Sequence, residues 1–189
     1  KEQSSVYDTP VMKVGDMQYT LNDINYMYVS IFNQIYTQLY YYAGSNISNY
    51  VDVKGDLAEQ NVSEDQTWND YILENIEYSI KDMTALYLAA KEEGFGLTGD
   101  YKTDMDSIKS DLENAAEDYG TSLEEYITAM YGPGMDYDTV YRMSEISYYA
   151  AAYAESKQDS MEVTEQEMRD RYEANKNDYD TVNFRFCSF

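Results

Sequence analysis

The side chains that this sequence offers to chemistry are lopsided: 36 Asp and Glu, 13 Lys and Arg, one cysteine and no histidine. Without histidine the usual general base near neutral pH and the commonest metal ligand are missing, which excludes His-based triads and His-built zinc sites for these residues. Carboxylates at close spacing, such as Glu113 with Glu117 and Glu124 with Glu125, are expected by coincidence at this acid content. Acid–base work by a carboxyl pair needs burial that drives the two pKa values apart, so a solvated face is the better reading. "DYKTDMDSIKSDLE" sets Asp100, Asp104 and Asp106 near a Glu, yet it lacks the glycine of a calcium loop and fits a helix without strain. "GFGLTG" follows a helical stretch rather than a strand and has no P-loop lysine; a helix end followed by a new helix start explains it. Cys187 cannot form an internal disulfide and has no neighbouring His to stabilise a thiolate, so it reads as a structural thiol. These patterns point to no catalytic residue, no metal site and no cofactor.

Tyrosine carries more information. Of the 23 tyrosines, Tyr40, Tyr41 and Tyr42 are consecutive, and Tyr148, Tyr149 and Tyr153 cluster later in the chain. Three consecutive residues on a helix point in three directions, so at least one ring faces outward. Two readings stand open: scattered, partly buried rings, or an apolar but wettable groove with Met130 and Met143 nearby, suited to extended or unfolded peptide.

A net charge of -23 repels nucleic acid and anionic membrane surfaces; it favours contact with cationic or neutral apolar ligands, or, as the plainer reading, is a solvated acidic surface. The uncharged run over residues 24–51 is interrupted by Asn25, Asn33, Gln34 and Gln38, which argues for a buried amphipathic helix rather than a membrane span. "KEQSSVYDTP" has no starting Met and no basic or apolar signal region, and reads as a mature or trimmed terminus with a polar leader over residues 1–10.

The elements that must position these residues follow from periodicity. "VMKVGDMQYT" predicts a hairpin turning at Gly15–Asp16. Thr20 caps a long helix with Ile24, Tyr28, Ile31, Ile35, Leu39 and Tyr42 on one stripe, stopped near Gly44. Residues 45–62 lack a period and read as a loop with at most one helical turn. Ser63 and Gln66 are expected to box a second long helix with Trp68, Ile72, Ile76, Ile80, Met83, Tyr87 and Ala90 inward, ending at Gly94. A third stripe runs through Tyr101, Met105, Ile108, Leu112, Ala115 and Tyr119. Ser122 and Glu125 then box a short helix with Leu123, Ile127 and Met130. After "YGPG", Asp136 caps a helix whose stripe is Tyr137, Val140, Ser144, Ser147 and Ala151, small enough for a neighbouring helix to come close. Thr164 and Glu167, with Val163 and Met168 as staple, open a last helix to about Asn175, and "DTVNFRFCSF" reads as a strand. The expected fold is all-α, about six helices, with a small N-terminal β-hairpin and a C-terminal strand.

Several stretches in this order resemble the N-terminal chaperone region of the SurA and PrsA type of exported parvulin peptidyl-prolyl isomerases. They are "VMKVGDMQYTLNDINYMY", "ALYLAAKEEGFGLTGD", "YGTSLEEYITAMYGPG" and "VTEQEMRDRYEANKNDYDTVNFRF"; the match spans most of the chain, with the loop over residues 45–62 uncovered. The resemblance implies a helical chaperone domain over residues 11–180, similar also to the C-terminal domain of trigger factor. Residues 181–189 would then be the first strand of a truncated or degenerate parvulin domain. Where the family carries an Arg-His pair on that strand, this chain has Arg185-Phe186. The resemblance further implies an extracytoplasmic, often lipid-anchored protein of the bacterial cell surface with unfolded secreted polypeptides as partners. It allows a homodimer, and implies isomerase activity only beyond this sequence, none being expected of residues 1–189. Peptide contact is expected at Tyr40, Tyr41, Tyr42, Met130, Met143, Tyr148, Tyr149 and Tyr153. The alternative is an acidic surface spacer or assembly subunit without chaperone activity.

Overall fold

The computed structural model describes residues 6–161 and 163–180; the expected C-terminal strand over 181–189, with Arg185, Phe186 and Cys187, lies outside the described residues. The described chain is mostly helical, with a small N-terminal antiparallel hairpin, as the periodicity predicts. Its residues divide into two compact units, one ending at Ala154 and the other beginning at Glu155. The span 11–180, read from sequence as one domain, is thereby divided.

In the first unit, β1 (Pro10–Val14) pairs with β2 (Met17–Thr20), with Met12 opposite Tyr19 and Val14 opposite Met17. Gly15 at the turn takes φ +58°, which a residue with a Cβ rarely adopts. The polar leader is partly structural. Val6–Asp8 form a 3-10 turn, Thr9 O accepts from Leu21 N at 3.0 Å, and Tyr7 lies so close to Gly134 that a Cβ there would meet its ring at 2.3 Å.

Helix α1 (Leu21–Ala43) opens on a capping box: Thr20 accepts from Asp23 N, and Asp23 Oδ2 accepts from Thr20 N at 2.6 Å. A 3-10 turn follows over Gly44–Asn49. The region read as loop also ends in a second hairpin, β3 (Asn61–Ser63) with β4 (Gln66–Thr67). Ser63 and Gln66, expected as a capping pair, are strand partners. The box belongs instead to Thr67 and Asp70, at the head of α2 (Trp68–Glu92). Both spacings match the box pattern, but pairing with β3 holds Gln66 extended, and Trp68 is anchored by its Nε1 donating to Tyr50 O at 3.0 Å.

Helix α3 (Gly99–Asp118) and the short α4 (Leu123–Tyr131, boxed by Ser122 and Glu125) follow the predicted bounds closely. Two stripe residues do not turn inward: Tyr119 lies past the last turn of α3 and is exposed, and Met130 is exposed while Ile127 is buried. Asp136 Oδ1 accepts from Thr139 N at 2.8 Å at the start of α5 (Tyr137–Asp159). Its buried face is Val140, Met143, Ile146, Ala150 and Tyr153 rather than Ser144, Ser147 and Ala151. The larger side chains withdraw more apolar area from water and take the core.

That core gathers Tyr19, Met27, Ile31, Ile72, Ile76, Ile80, Met143 and Ile146 from β2, α1, α2 and α5. A second cluster joins Ile127, Met135 and Val140. The C-terminal unit holds the end of α5, α6 (Glu165–Ala174, boxed by Thr164 and Glu167) and α7 (Lys176–Tyr179), a helix the periodicity did not predict. Neither α6 nor α7 has a buried residue.

Candidate functional site

An open groove of 460 Å³ runs between α1, α2 and α5 of the first unit. One wall is Met27, Ser30, Ile31 and Gln34 from α1; another is Ser79, Asp82, Met83 and Leu86 from α2. The α5 side is Ser147, Ala150, Ala151 and Ala154, with the fully buried Met143 beneath. Three- and four-residue spacing places each set on one helix face, and the small residues of α5 leave the room that the groove occupies. Tyr26, which also lines it, stacks on Tyr131 at 5.1 Å and has its hydroxyl 3.2 Å from Ser144 Oγ.

The eight residues expected from sequence do not meet in this groove; only Met143 lines it. Tyr40 and Tyr41 border a separate depression of 330 Å³ with Tyr36 and Thr37, while Tyr42 meets Tyr50 edge-on at 6.2 Å. All three rings of the triplet are exposed, Tyr41 by 85%. The tyrosines of α5 are drawn into ring pairs with other elements: Tyr148 with Tyr101, Tyr149 with Tyr87 and Tyr153 with Phe95. Tyr153 is buried by its packing, and Met143 is sealed in the core by the residues it joins, so neither offers an outward surface of the kind expected. Met130 stands exposed on α4. Of the groove residues, Met27 and Leu86 lie outside the stripes read from sequence, whereas Met83 belongs to the inward stripe of α2. The sequence signal for room at this face is the run of small residues at Ser147 and Ala151, which predicts the close approach of a neighbouring helix rather than a groove.

Electrostatics fix the frame around the groove. Asp23, wholly buried, holds the Arg142 guanidinium with one carboxylate oxygen and the head of α1 with the other. Lys91 lies 3.6 Å above the Tyr149 ring and 3.0 Å from Glu145. Burial pulls its ammonium pKa down, but the Glu145 hydrogen bond and charge outweigh this and raise it. Burial pushes the Tyr131 hydroxyl up to about 12. The exposed face of α1 is neutral: Ser30, Asn33, Gln34, Thr37, Gln38 and the tyrosine triplet present hydroxyls and amides, and the helix contains no Lys or Arg.

Among the described residues, no three acidic or sulfur ligands come together as a metal site, and Asp106 is engaged by Lys102 at 2.6 Å. No described helix is long and apolar enough to cross a membrane. Compared with known protein families, characterised proteins and solved structures, the chain matches none.

Proposed function

We propose that this protein is an ATP-independent holding module for unfolded secreted polypeptides, the N-terminal part of an extracytoplasmic folding factor of the parvulin isomerase type. One observation carries the reading: the groove between α1, α2 and α5 has methionine, leucine and alanine walls and is open to solvent. Methionine adapts its shape to unlike side chains, and an open apolar cleft accepts a chain segment without a fixed sequence. Such holding needs no bond-making residue, and the -23 charge opposes self-association of the holder while its apolar surface is exposed. The exposed triplet Tyr40, Tyr41 and Tyr42 adds a second apolar, hydroxyl-tipped contact surface. The family resemblance of the sequence supplies the cell-surface setting and the secreted clients.

The test is suppression of aggregation of a chemically denatured client, followed by light scattering, with Ala151→Trp as the control. Ala151 is exposed at the groove, so the larger ring fills the cleft without entering the core. The expected result is suppression by the native chain and its loss in the variant at unchanged thermal stability. A native chain that leaves aggregation unaltered at several-fold excess is an acidic surface spacer or assembly subunit instead.

A further inference from the structure

Resting on the holding function just proposed, we infer that the groove selects cationic clients: apolar segments flanked by Lys or Arg, taken in preference to the same segments flanked by acids. The groove itself has one charged side chain, Asp82, and no cation among the residues that line it. Asp82 is exposed, and the adjacent Lys81 is engaged by Glu77, so Asp82 has no ion-pair partner among the described residues. Four other cations of the first unit are similarly committed, Lys91 to Glu145, Lys102 to Asp106, Lys109 to Glu113 and Arg142 to Asp23, and neither Lys13 nor Lys54 lines the groove. Their pairing leaves a large excess of uncompensated carboxylate on a chain of net charge -23.

Two effects then act in the same direction. The field of the whole protein raises the local concentration of basic segments and repels acidic ones, over a range of about 8 Å at physiological ionic strength. Within the groove, a Lys or Arg laid over Met83 and Leu86 can rest its aliphatic stem on the apolar wall while its charged head reaches Asp82. An acidic flank finds no cation there, and its carboxylate would face Asp82. Selection therefore comes from repulsion of the wrong segment as much as from attraction of the right one.

The experiment uses the whole 189-residue chain and three labelled peptides sharing one apolar core, flanked by Lys, by Gln or by Glu, with binding read by fluorescence anisotropy. The Lys-flanked peptide is expected to bind on the order of tenfold more tightly than the Glu-flanked one at low salt, with the gap closing as salt rises. Asp82→Asn is expected to reduce the preference for the Lys-flanked over the Gln-flanked peptide by roughly threefold. Equal affinity for all three peptides overturns the charge preference and leaves the holding function intact. Failure of all three to bind overturns the holding function itself. Lys-flanked binding that survives Ala151→Trp is diffuse surface attraction, and this too overturns the inference.

Discussion

The Tyr19 hydroxyl donates to Thr84 Oγ1 at 2.6 Å, joining β2 to the middle of α2 across 65 positions of sequence. The donor is fixed by what Thr84 does next: its own hydroxyl donates to Ile80 O. Both side chains are fully buried.

Thr84→Val is therefore expected to leave a buried phenol without an acceptor, at a cost of ~1–3 kcal/mol. The double variant with Tyr19→Phe should cost less than the sum of the two single changes, because the second removes the group that the first orphans. Urea unfolding of the four proteins measures this coupling, and strict additivity would contradict the assigned bond.

Arg142→Met should be destabilising, since it leaves the Asp23 carboxylate buried without its cation. The expected loss lies toward the low end of the ~3–5 kcal/mol typical of a broken buried pair, because the Arg142 side chain remains 38% exposed. Asp23→Ala should also be destabilising, since it strips the Thr20 N–H of its acceptor at the head of α1, worth ~1 kcal/mol, but it leaves the half-exposed Arg142 rather than a buried charge unpaired and so should cost less than Arg142→Met. Thermal melts of the two variants give the order.

Acid weakens the helix starts. Backbone N–H groups of Ser122 and Thr164, with the hydroxyls beside them, hold Glu125 and Glu167 below the ordinary carboxylate range. A depressed native pKa contributes stability at pH values above the unfolded value, and that contribution is lost as pH falls through the native one. Glu125→Gln and Glu167→Gln should each flatten the acid limb of a Tm-against-pH curve. An unchanged limb in both would count against the capping contribution.

Alkali acts through Tyr131. Burial first, then neighbouring Tyr26 and Tyr126, raise its hydroxyl from 10.0 to about 12, so the folded chain holds this proton more tightly than the unfolded one. Its contribution, on the order of 2–3 kcal/mol, is complete below pH 10 and is lost as pH rises through about 12. A tyrosinate absorbance titration should show a late step that vanishes in Tyr131→Phe.

Helix starts were legible in the sequence because a capping box is a short-range pattern: Thr20, Ser122 and Thr164 each sit where their spacing places them. Ser63–Gln66 failed for the opposite reason, since pairing with β3 is a tertiary choice between two equally good local patterns. The groove was only half legible. Small residues at 147 and 151 announced a face with room beside it. Whether Met143 and Tyr153 point to solvent, however, depends on what α1, α2 and Phe95 bring against them, and periodicity along one helix does not encode that. The clustered tyrosines are exposed on α1, whereas on α5 Tyr148 and Tyr149 are half-buried in ring pairs and Tyr153 is buried, a difference set by the neighbours each helix meets.

The neutral face of α1 also determines how contacts there must be mapped. Between Lys13 and Lys54 the chain has no Lys or Arg, so amine-reactive cross-linkers are blind to a partner on this helix and trypsin returns the stretch as one long peptide. Reagents that couple through phenols, by contrast, meet Tyr40, Tyr41 and Tyr42 at the end of that helix, and a footprint there would be read from tyrosine rather than lysine chemistry.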